Sequence, residues 1–205
     1  MPTMSSAEIA SVFESAGAIR QGHFVLSSGL HSATYVQCAL VLQYPALAER
    51  LGRELASRLD GLGVECVASP AIGGIVVGQE VARGWPAPAS GQPVRAIFAE
   101  RDSAGILTLR RGFSVAAGER IAVVEDVWTT GGSTLETIRV IEEAGGRVVA
   151  VGALIDRSAG ETEFPVPARA LLELRIESYP EDACPLCLAG GVPLRPGSRH
   201  KRAAP

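Results

Sequence analysis

Four short apolar runs, separated by segments of helical period, limit this chain to few folds. "ECVAS" (65–69), "VRAIFAE" (94–100), "RIAVVED" (120–126) and "VVAVGALID" (148–156) are β-branched or continuously apolar, the pattern of strands covered on both faces. Helical patterns from about Gly74 to Arg83 and from Ser133 to Ala144 lie between them. This alternation implies an α/β fold with a mostly parallel central sheet flanked by helices. Upstream, Ser5 and Glu8 form a capping box for a helix running to about Gly17, and Leu47, Leu51, Leu55 and Leu59 recur at helical spacing. "HFVLSSGLHSATYVQ" (23–37) stands outside the alternation and reads as two short strands around a Ser-Gly turn, part of a small flap or hood spanning about residues 20–40. From Pro180 onward Pro, Gly and charge accumulate, so residues 180–205 are expected to be irregular and "GSRHKRAAP" frayed.

A chain of 205 residues with 47% hydrophobic and 20% charged side chains can bury one sizeable core, so residues 1–205 are expected to form a single domain. A formal charge of −3 leaves no basic footprint for nucleic acid. No apolar run approaches the roughly 20 residues that span a membrane. "MPTMSSAEIASVFES" lacks a basic segment followed by a long apolar one, and the four unevenly spaced cysteines do not resemble a disulfide framework. A cytoplasmic location is the expectation. Lys201 is the only lysine, so anions must be held by guanidinium groups, helix amides or a metal.

The stretch "VVEDVWTTGGST" (123–134) carries the chemistry. In an open parallel sheet ligands bind beyond the carboxyl ends of strands, where the run Ile121 to Glu125 delivers Glu125 and Asp126. Thr129, Thr130, Gly131, Gly132, Ser133 and Thr134 follow, a small-residue loop whose amides and hydroxyls can turn inward at the positive end of the next helix. That is a phosphate cradle, though not a P-loop, because no Gly-Lys-Ser/Thr is present. Two acids beside such a cradle suit a phosphorylated ribose, with its phosphate at one end and hydroxyls or magnesium at the other.

"VVEDVWTTGGST" resembles the signature of the type I phosphoribosyltransferases, which implies that the loop holds the 5-phosphate of phosphoribosyl diphosphate and the acids face the ribose hydroxyls. "ASPAIGGIVVG" matches a second segment of that family, implying that the loop with Ala71 and Gly73 approaches the pyrophosphate. "GHFVLSSGLHSATYVQ" is similar to the flap of the orotate phosphoribosyltransferases, which implies an orotate site with Ser28, Gly29 and Thr129. "LIDRSAG" resembles the strand end where that family sets an arginine on the orotate carboxylate, here Arg157, whose guanidinium can bind it bidentately. Surface pairing of Arg157 with Asp156 or Glu161 is the alternative. "FAERDSAGILTLRRGF" stands where the family has its mobile catalytic loop.

The resemblance covers most of residues 20–199 and implies transfer of a phosphoribosyl group from phosphoribosyl diphosphate to orotate in pyrimidine synthesis. It also implies magnesium, held through substrate and waters near Glu125 and Asp126 rather than by firm direct ligands, and a homodimer whose sites are completed across the interface. The chain departs from the family in lacking its lysines and loop histidine; Ser27 and Gly73 stand in two of the lysine places. Arg101, Arg110 and Arg111 are the available cations, and Arg101, beside the strand end at Glu100, is the one carried forward as catalytic with Glu125 and Asp126. "LTLRRGF" reads as strand rather than lid. A purine phosphoribosyltransferase, or a non-catalytic sensor of phosphoribosyl diphosphate, are the rival readings. Cys184-x-x-Cys187 has zinc-ligand spacing, with a second pair to come from Cys38 and Cys66, from His200 or from another subunit; a plain thiol pair is the alternative. His23 and His31 flank the flap turn and read as packed histidines.

Overall fold

In the computed structural model, which describes residues 4–26, 28–86, 91–158 and 160–196, helices and strands alternate along most of the chain. Helix α1 (Ser6–Ser15) opens with the Ser5–Glu8 capping box, both reciprocal bonds being present. The hairpin β1 (Ile19–Val25) and β2 (His31–Val36) follows, then the short α2 (Ala39–Leu42) and α3 (Pro45–Arg58). Next come β3 (Cys66–Pro70), α4 (Gly73–Gly84), β4 (Arg95–Arg101), β5 (Leu107–Leu109), β6 (Arg120–Trp128), α5 (Gly132–Glu143), β7 (Arg147–Asp156) and β8 (Ala168–Glu173). A 3₁₀ turn (Glu181–Ala183) and α6 (Pro185–Leu188) end the series.

The main sheet has the order β5-β4-β3-β6-β7-β8, parallel except for the β4–β5 hairpin. Its two faces are read directly from the period of β6. Ala122 and Val124 enter a core with α1, α3 and α4, while Ile121 and Val123 enter a second core with Ile138 and Ile141 of α5. Helices α3 and α4 lie close because glycine stands at their contact. A Cβ at Gly52 would fall 2.5 Å from the Glu80 carbonyl carbon, and one at Gly84 would fall 2.6 Å from the Arg53 Cα. The direction of winding reverses at β3, whose neighbours are β4 on one side and β6 on the other. Such a reversal opens a crevice at the carboxyl ends of the two strands, where ligands bind in α/β sheets.

Three elements differ from the sequence expectation. β1 begins at Ile19, because Ile19, Arg20 and Gln21 pair with Val36, Tyr35 and Thr34 although the run is largely exposed. β8 was not anticipated: no helix separates it from β7, and only Leu171 and Leu172 of its side chains are buried. The C-terminal segment, expected to be irregular, contains helical turns and is tied to the hairpin. Backbone bonds run from Val25 N to Leu194 O, from Leu194 N to His23 O, and in both directions between His31 and Tyr179. The hood is therefore built from both ends of the chain. "GSRHKRAAP", Ser27 and His200 lie outside the described residues. Among the described residues no helix is long and apolar enough to cross a membrane.

Candidate active site

The end of β6 carries Glu125, Asp126 and Trp128, and α5 begins at Gly132, so Thr129 to Gly131 form the whole connection. Gly131, the residue preceding the helix, is left-handed at φ 69°. No side chain caps α5 at this residue; the nearest approach is a long 3.4 Å bond from the Gly132 amide to Thr130 Oγ1. The amides of the first turn thus meet the ligand side with the positive end of the helix dipole behind them. Thr162 and Phe164 pack over Gly131, and the Phe164 ring lies 4.7 Å from that of Trp128, fixing the loop from above. These two residues had no signal in the sequence beyond their polar and Pro-rich surroundings.

The two acids are half-buried and neither takes part in a salt bridge among the described residues. Thr134 Oγ1 donates to Glu125 Oε2 at 2.5 Å. Burial pushes the Glu125 carboxyl up to about 7, against the pull of that hydrogen bond, and the Asp126 charge adds to the rise. Burial also raises Asp126, opposed by the Val127 amide, which donates to Asp126 Oδ1 at 3.0 Å. Gly73 faces this carboxylate directly: a Cβ there would lie 2.7 Å from Asp126 Oδ2. The segment after β3 and the acids at the end of β6 therefore meet across the crevice, with Ala71 anchored by its amide to Ala99 O at 2.7 Å.

A pH dependence follows from Glu125. Between its ordinary value near 4.5 and about 7, the unfolded chain has released a proton that the folded chain retains, so this group's contribution to stability falls as pH rises and is fully lost above about 7. The total is on the order of 3 kcal/mol. The ligand-free protein is expected to melt at a higher temperature at pH 6 than at pH 8, and Glu125→Gln is expected to flatten the curve and raise Tm at pH 8. Equal pH slopes in the two proteins would refute this.

Arg157 follows β7, and its amide donates to the Trp128 carbonyl at 2.8 Å, which sets it beside the start of the cradle. Its guanidinium is half-buried, its Nε is buried without a hydrogen bond, and no carboxylate pairs with it among the described residues. Asp156 instead accepts from the Ser158 amide at 2.7 Å. Burial lowers the Arg157 pKa, while the neighbouring Cys38 and Tyr35 oppose that shift. Cys38 Sγ in turn contacts the Asp126 carbonyl at 3.7 Å. Cys38, at the base of the hood, thus touches the strand that carries the acids and stands near Arg157. Burial raises the Cys38 thiol well above the usual range, so it serves here as an uncharged wall. At the other end of the hairpin Ser28 and Gly29 are exposed in a tight turn, closed by Gly29 N to Leu26 O at 2.9 Å, with Gly29 at φ 88°.

Arg101 is held differently. Its Nη1 donates to Gly105 O at 2.8 Å and pairs with Glu136 Oε2 of α5 at 2.8 Å. Where the resemblance implies a mobile catalytic loop there is a tight β4–β5 turn, with the Ala104 and Ile106 amides both on Asp102 Oδ1. Arg110 and Arg111 both pair with Glu100, and Leu107–Leu109 is strand, as the sequence reading held.

Strand order, crevice and cradle together define the type I phosphoribosyltransferase fold. No protein-family model matches the chain. It is 50% identical over 198 residues to the orotate phosphoribosyltransferase of Heliobacterium modesticaldum, covering 96% of this chain and 100% of that protein. It is 45% identical over 196 residues to that of Caldanaerobacter subterraneus subsp. tengcongensis, covering 96% and 99%. A crystal structure of the Mycobacterium tuberculosis orotate phosphoribosyltransferase in complex with inorganic phosphate superposes with a TM-score of 0.64 at 26% identity, over 82% of this chain and 95% of that one. The chain belongs to the orotate phosphoribosyltransferase family.

Proposed function

We propose that this chain transfers the phosphoribosyl group of phosphoribosyl diphosphate to orotate, giving orotidine 5-monophosphate and pyrophosphate, with the roles divided among its residues as follows. The amides from Gly131 to Thr134, with the Thr129, Thr130 and Ser133 hydroxyls, hold the 5-phosphate. Glu125 and Asp126 accept from the ribose hydroxyls and so orient the sugar. Ala71 and Gly73 approach the pyrophosphate. Arg157 pairs with the orotate carboxylate, and Ser28, Gly29 and Thr129 complete the base site.

Transfer passes through a sugar with oxocarbenium character, so no protein nucleophile is needed. The residues contribute chiefly by holding donor and acceptor in line and by closing water out. Magnesium fits the acids, which carry no cation of their own among the described residues, and they would hold it through its waters; when bound, it supplies charge neutralisation for the departing pyrophosphate. Arg101 is assigned to the pyrophosphate side, released from Glu136 and acting in the site of a second copy in a homodimer. A cytoplasmic location is part of this proposal.

The observation that carries this reading is the half-buried Arg157, which pairs with no carboxylate among the described residues, beside a phosphate cradle. Family membership and that unpaired cation both favour orotate over a purine, which has no carboxylate to offer. The test is turnover with orotate, phosphoribosyl diphosphate and magnesium. One orotidine 5-monophosphate is expected per pyrophosphate, with no product from adenine or uracil and with the active species sedimenting at twice the chain mass of 21.3 kDa. Binding of phosphoribosyl diphosphate without turnover would favour the sensor reading, and an active monomer would remove Arg101 from its role across an interface.

A further inference from the structure

The folded chain supplies the second ligand pair that Cys184-x-x-Cys187 lacks in the sequence. It comes neither from Cys38 and Cys66, which are buried in the main cores, nor from His200, which lies outside the described residues, but from His23 and His31. One ligand atom from each of His23, His31, Cys184 and Cys187 lies within 4.8 Å of all the others. His23 Nε2 is 2.8 Å from His31 Nδ1, 3.6 Å from Cys184 Sγ and 3.7 Å from Cys187 Sγ, and Cys187 Sγ is 3.2 Å from His31 Nδ1. A zinc tetrahedron with bonds of about 2.05 Å to nitrogen and 2.3 Å to sulfur has edges of about 3.3 Å between nitrogens and about 3.6 Å between nitrogen and sulfur. These four edges need shifts of about half an ångström or less to meet those lengths, and the remaining two, from Cys184 to His31 and to Cys187, lie within 4.8 Å.

We propose that His23, His31, Cys184 and Cys187 bind one structural Zn²⁺ that clamps the hood. The surroundings fit a ligand set. His23 Nδ1 lies 3.1 Å from the Gly191 carbonyl, and donation to that oxygen leaves Nε2 as the free lone pair, the usual way a second partner orients a metal-binding imidazole. Gly191 is needed for that approach, since a Cβ there would lie 2.9 Å from Leu186 O and 3.2 Å from His23 Nδ1. Four protein ligands fill the tetrahedron and leave no open position of the kind a catalytic zinc keeps; His31 and Cys184 are 2% and 0% exposed, and Cys187 is partly exposed. Two nitrogens and two thiolates in a tetrahedron select zinc among common divalent ions, and binding releases both thiol protons. The clamp also has a task. A lone two-stranded hairpin is marginally stable, and β1–β2 belongs to no larger sheet. The ion would fasten both of its strands, on either side of the Ser28–Gly29 turn, to the segment that carries Cys184 and Cys187.

The test is metal content of the full chain purified without chelator or affinity metal, read independently of any activity. About one zinc per chain is expected, falling close to zero in the double variant Cys184→Ser, Cys187→Ser and in His23→Ala. If those variants do not fold, the unaltered chain still decides the matter. After chelation and reconstitution with Co²⁺ it should show thiolate-to-cobalt charge transfer and tetrahedral d–d bands, and Zn²⁺ should abolish both. A purified chain without metal whose cobalt form lacks thiolate charge transfer would overturn the proposal, as would undiminished zinc in a folded double variant.

Discussion

Gly131→Val is expected to abolish measurable binding of phosphoribosyl diphosphate in calorimetric titration while leaving the protein folded. Two effects combine. The native φ of 69° is left-handed, a region a β-branched residue enters only at a cost of roughly 1–2 kcal/mol or more. A Cβ at this position would run into Thr162 Cγ2 and lie 3.0 Å from Phe164 Cζ, and Phe164 is itself packed on Trp128. The loop must therefore open, carrying the amides of the first turn of α5 away from the phosphate. Loss of two charge-assisted bonds, at about 1.5–3 kcal/mol each, corresponds to roughly a hundred- to ten-thousandfold weaker binding. Ser133→Ala removes one hydroxyl and moves no backbone, so its cost is on the order of 1 kcal/mol. Unchanged affinity in a Gly131→Val protein with native circular dichroism would rule out the cradle.

Arg157→Ala should act on the other substrate. The Michaelis constant for orotate is expected to rise roughly 10- to 150-fold, the equivalent of about 1.5–3 kcal/mol for one lost charge-assisted bond, and that for phosphoribosyl diphosphate to stay within about twofold. Thermal stability separates this from a structural role. A half-buried guanidinium that pairs with no carboxylate among the described residues contributes no ion pair to the fold there, so its removal should leave Tm unchanged or raise it. Equal increases in both Michaelis constants, or a large fall in Tm, would assign Arg157 to the scaffold instead.

The strands that were legible in the sequence are those with apolar runs. Cys66–Pro70, Arg120–Trp128 and Arg147–Asp156 hold consecutive buried residues, so no polar side interrupts the pattern, while Arg95–Arg101 buries Ile97 and Ala99 on one face and carries the half-buried Ala96 and Phe98 on the other. β8 escaped because it lies at the edge of the sheet, where only part of one face is covered. The cradle and the acids were legible for a different reason: they are consecutive residues at one strand–helix junction, so spacing alone holds them together. Arg157 needed the family resemblance to be read as a substrate ligand. The contacts that complete the site, Phe164 over Gly131 and Cys38 against Asp126, join segments distant in the chain. Nothing in the local sequence marks such pairs. The histidine and cysteine pairs show the same limit: the cysteines have zinc-ligand spacing, the histidines read as packed side chains, and neither pair points to the other across 161 positions.

The pairing of the hairpin with the C-terminal segment also sets the order of events on the ribosome. His23 emerges early, yet its partner Gly191 follows 168 positions later. At synthesis rates of about 5–20 residues per second, the nascent chain spends roughly 10–30 s with β1 and β2 lacking their C-terminal partners. By then every strand of the main sheet has been made, so the sheet with its phosphate cradle can be complete while the hood is not. The two halves of the active site are in this sense born at different times.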